Sequence, residues 1–119
     1  FEVTDRTWRG IGTIPASGAA LTLTMLEALL RLEAFELYAT LLPVAEALAL
    51  PDRDRRELLA RMYLRRGFLD SAADEWVTAI EQHGADVAAL TGLSEVAAAR
   101  GLDEDAELLA SEARALATA

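Results

Sequence analysis

In the second half of the chain, apolar positions recur at helical spacing and break at regular points. Leu58, Leu59, Met62 and Tyr63 form one stripe, which stops at Gly67, a residue free to take positive φ. Ala72, Ala73, Trp76, Val77 and Ile80 form the next, with Asp70 or Ser71 placed to cap its start. His83-Gly84-Ala85-Asp86 closes that helix and caps another at Val87, and the same grammar recurs around Gly101 and Asp103. Carried toward the N-terminus, the pattern predicts six helices, at 21–32, 35–49, 54–66, 70–83, 87–99 and 104–117.

The pattern repeats with a period of 34 residues. Shifted by that amount, Leu59 falls on Leu93, Arg66 on Arg100, Gly67 on Gly101, Ala72 on Ala106 and Ala79 on Ala113. In the other direction Met25, Phe35, Leu42 and Ala45 fall beneath Leu59, Leu69, Trp76 and Ala79. Three units follow, 19–52, 53–86 and 87–119, each a helix–turn–helix hairpin. The register is clear between the second and third units. It is weaker in the first, where Glu33 stands in place of the central glycine and Pro43 lies inside the second helix. A proline there removes a hydrogen bond and costs about 3 kcal/mol unless a kink absorbs it, so this unit is either bent or divergent.

With Leu59-Ala60, Tyr63, Gly67, Ala72, Trp76 and Ala79 at these spacings, residues 19–119 resemble the tetratricopeptide repeat (TPR) family. The resemblance implies an all-α, TPR-like solenoid of three hairpins, over residues 21–119. Small residues at Ala60, Ala72 and Ala79 would let helices approach closely, with Tyr63 and Trp76 as core filling between them. One hairpin cannot bury its own apolar face, so about three stacked units are needed for stability.

Residues 1–20 differ in kind, with Val3, Trp8 and two Ile among Gly10, Gly12, Pro15 and Gly18, and read as an extended segment. Gly10-Ile11-Gly12 is no dinucleotide fingerprint, because Pro15 occupies the third glycine position. The run Trp8-Arg9-Gly10-Ile11-Gly12-Thr13-Ile14-Pro15-Ala16-Ser17-Gly18 resembles a WRGxGxIPxSG stretch of the HypD-type hydrogenase maturation family. That resemblance implies a segment, including Trp8 and Arg9, that docks on hydrogenase subunits or their maturation proteins. Without Cys, the family's cysteine and iron–sulfur chemistry does not carry over.

Composition narrows the classes. The 119 residues include 25 Ala and 21 Leu but only 6% aromatics, which favours helix over strand and excludes a disordered chain. The absence of Cys excludes a disulfide scaffold and any Cys-ligated metal. No apolar run has bilayer-spanning length and no secretory leader is visible, so a cytoplasmic location is expected. The net charge of −9 argues against nucleic acid or an anionic membrane as partner. All eleven cations are Arg, however, and six of them lie in residues 53–66 against only Asp54 and Glu57. A basic stripe in an acidic molecule is the electrostatic feature to follow.

Catalysis is not expected, nor is a cofactor. The single His, His83, sits at a helix end facing the C-terminal dipole, and Asp103-Glu104-Asp105 with Glu107 is explained by capping and dipole effects alone. Binding is expected instead. The TPR resemblance places the first helix of each pair along a concave groove, at Leu23, Glu27, Leu30 and Arg31, then Glu57, Arg61, Leu64 and Arg65, then Thr91, Glu95 and Ala98. Arg61 and Arg65, at i and i+4, share a face and suit a carboxylate-bearing peptide. Alternatively they pair with Glu57, Glu27 or Glu95. The family's Lys/Asn clamp for a C-terminal carboxylate is missing, since Leu23, Glu27, Leu58, Ala88 and Gly92 hold those positions. The expected function is a scaffold binding a protein or peptide, with an accessory role in hydrogenase or other metalloenzyme assembly. The alternative is a self-assembly module that forms a homo-oligomer through residues 1–20 or the Ala-rich last helix.

Overall fold

The computed structural model describes residues 16–47 and 50–119. Among them the fold is all-helical, with α1 (Ala16–Arg31), α2 (Phe35–Glu46), α3 (Asp52–Arg65), α4 (Leu69–His83), α5 (Val87–Ala99) and α6 (Asp103–Thr118). The chain divides into two units, one ending at Pro51 and one beginning at Asp52. In the first, α1 packs on α2. In the second, α3 packs on α4, α5 on both of these, and α6 on α5.

One turn geometry joins each hairpin. At Gly67 the backbone takes φ 83°, the Gly67 N–H donates to the Leu64 carbonyl, and the Phe68 N–H to the Tyr63 carbonyl at 2.9 Å. This is the Schellman arrangement, completed by an edge-on contact between the Tyr63 and Phe68 rings with centroids 6.5 Å apart. The turn recurs 34 residues later, where Gly101 has φ 76° and the Leu102 N–H donates to the Ala97 carbonyl. It also recurs 34 residues earlier, at Glu33, which has φ 56° and is the one non-glycine with positive φ among the described residues. There the Ala34 N–H donates to the Leu29 carbonyl at 2.9 Å. Burial keeps the same register, with Ala45, Ala79 and Ala113 all buried.

Several local expectations change. Phe68 and Leu102 hold the N-cap positions of α4 and α6 with no side-chain cap, so Asp70, Ser71 and Asp103 do not cap. The turn itself sets this entry, because Ala72 and Ala106 N–H already donate to the Phe68 and Leu102 carbonyls. Asp86 does cap α5, accepting from the Ala89 N–H at 2.7 Å. The first helix begins at Ala16, five residues before the expected start, taking Ala16–Ala20 out of the extended segment. Three of those five are Ala, the strongest helix former. The second helix runs through Pro43 and ends at Glu46, short of the expected 49. Leu58 and Val77 face solvent, since a stripe about 100° wide is filled by Leu59, Met62 and Tyr63 on α3 and by Ala72, Trp76 and Ala79 on α4.

A left-handed conformation costs a non-glycine residue about 1 kcal/mol. Glu33→Gly is therefore expected to stabilise the chain by about that amount, and Gly67→Ala to destabilise it by at least as much. Urea unfolding midpoints of the two variants check this; a Glu33→Gly midpoint below that of wild type would contradict it.

Candidate functional site

The basic stripe lies on α3 and the residue after it, and the guanidinium groups of Arg53, Arg55, Arg56 and Arg61 are met by acceptors. Arg53 caps the C-terminal end of α4, donating to the His83 and Gly84 carbonyls, and pairs with Asp86 at 3.2 Å. Arg55 and Arg56 both bind Asp52, and Arg56 also reaches Glu75 on α4 at 2.9 Å. Arg65 and Arg66 have interactions of their own. Arg53, Arg56 and Arg61 thus tie α3 to neighbouring elements, whereas Arg55 bonds within its own helix.

Arg61 is the most connected. Its Nε donates to Glu57 at 2.9 Å, its Nη1 pairs with Glu95 on α5, and its Cζ lies 5.1 Å from the centroid of the Trp76 ring. Burial disfavours its charge, but hydrogen bonds to Glu57 and Glu95 outweigh that and raise its pKa. The second Glu57 oxygen accepts from the Trp76 indole N–H at 2.5 Å. Trp76 is the largest fully buried side chain among the described residues, and its indole lies against Gly92 of α5, where a Cβ would overlap three ring atoms.

The structure distributes the expected groove residues unevenly. Glu57, Arg61 and Glu95 come together, but as an internal cluster; Arg61 is not a bare cation awaiting a carboxylate. Leu30, expected as an exposed apolar anchor, is buried at 6% exposure. Leu23 and Leu64 are half-buried, Arg31 and Ala98 exposed, and Glu27 half-buried with an interaction of its own. Thr91 lines a groove between α5 and α6 together with Glu95 of the Arg61 cluster. Trp8 and Arg9 lie outside the described residues.

His83 does not simply face a helix dipole. Its Nε2 lies 2.8 Å from Asp52 Oδ2, and this hydrogen bond, with Arg56 and Arg55 adding to it against opposing burial, holds the Asp52 carboxyl at about 2. Arg55 and Arg56 bind the same carboxylate, so the pair serves as a tie between α3 and α4. No group of three or more His, Asp or Glu side chains able to hold a metal occurs among the described residues. No helix among them is long and apolar enough to cross a membrane.

Two hollows escape sequence inspection. One, of about 460 Å³, lies among α4, α5 and α6, where Ala97 and Leu102 stand in place of Tyr63 and Phe68. The other, of about 300 Å³, is the groove between α5 and α6. The signal for both is the 34-residue register, in which a bulky residue of one unit becomes small in the next. Comparison with family models, curated proteins and solved structures finds no match.

Gly92→Ala is expected to destabilise the fold by about 1–3 kcal/mol through overpacking against Trp76. Tryptophan fluorescence of a Trp8→Phe background should report the displaced indole; unchanged emission and stability would contradict the contact. Asp52 supplies a pH dependence. Its folded pKa, about 2, lies below the ordinary 3.8, so its ionised form stabilises the fold above that ordinary value. The contribution is lost as pH falls toward 2. Asp52→Asn should therefore be less stable than wild type near neutral pH, with the difference closing at the acid end of a series of unfolding curves.

Proposed function

We propose that the chain is a non-enzymatic TPR-like repeat module that binds a protein or peptide segment along the first helices of its hairpins. The observation carrying this reading is the recurrence of one Schellman turn at Glu33, Gly67 and Gly101, at the 34-residue period of the sequence. A chain that repeats both its residues and its turns at one interval is built as a repeat, and repeat folds present long helical faces to partners.

Within that reading, recognition on α3 and α5 depends more on apolar anchors than on bare charge. Leu64 and Ala98 occupy equivalent positions one repeat apart, the first half-buried and the second exposed. Arg61, held by Glu57 and Glu95, shapes the face between them. The hydrogenase-maturation resemblance adds a second contact, through Trp8 and Arg9.

Affinity capture from native lysate, with bound proteins identified by mass spectrometry, tests both. Leu64→Glu/Ala98→Glu is expected to lose the partner while keeping the helical circular dichroism and thermal midpoint of wild type. Undiminished capture by that variant would overturn the groove. Hydrogenase subunits or maturation proteins that are captured by wild type and lost from Trp8→Ala/Arg9→Glu would support the assembly role; their absence from the wild-type capture would remove it. Arg61→Glu is unsuitable, because it would place a third carboxylate between Glu57 and Glu95 and weaken the fold itself.

A further inference from the structure

We draw no further inference here: the strongest candidate, the apolar hollow of about 460 Å³ among α4, α5 and α6, lined in part by the exposed Leu102 and Leu108, is an open helix face, and nothing in the structure shows what covers it.

Discussion

The packing of α3, α4 and α5 depends on the Trp76 indole lying flat against a residue with no side chain. Gly92 lets α5 approach where any other residue would collide, and the indole fills the space between three helices. Burying that ring leaves one polar atom to satisfy, and Glu57 supplies the acceptor; an unpaired indole N–H there would cost about 1–3 kcal/mol. Glu57 in turn holds Arg61, which covers the ring and reaches Glu95. One aromatic residue of α4 thereby dictates a glycine, a carboxylate, a cation and a second carboxylate on the two helices beside it, α3 and α5.

The 34-residue period is legible because it rests on residue types with few substitutes. Gly67 and Gly101 take a left-handed backbone that other residues resist, and Ala45, Ala79 and Ala113 occupy equivalent buried sites. The first turn is not legible by the same rule, since Glu33 carries no sign of positive φ. The hydrogen bonds of Leu29 and Leu30 carbonyls to the turn amides hold it there despite its Cβ. Capping is misread for a related reason. An aspartate near a helix start resembles a cap, but where a Schellman turn runs directly into the next helix the apolar residue after the turn takes that place.

The candidate site is legible in its members and not in its bonds. The partners of Arg56 and Arg61 at i−4, Asp52 and Glu57, follow from helix geometry. Their other partners, Glu75 and Glu95, stand 19 and 34 positions away and become neighbours only when the hairpins pack. What reads as a positive stripe therefore includes three ties out of α3, at Arg53, Arg56 and Arg61. The Glu95 tie spans one full repeat, which connects the charge pattern to the period itself. Where the period persists but the residues shrink, at Ala97 and Ala110, it leaves hollows rather than contacts.

Trp76 is sealed between helices with its N–H held by Glu57. Hydrogen exchange of the indole N–H, followed by NMR and assigned with a Trp8→Phe variant, tests it most directly. Exchange is expected to be as slow as that of the best-protected backbone amides of α3 to α5, requiring unfolding of the unit to occur. Exchange at the rate of a solvent-exposed indole would contradict it.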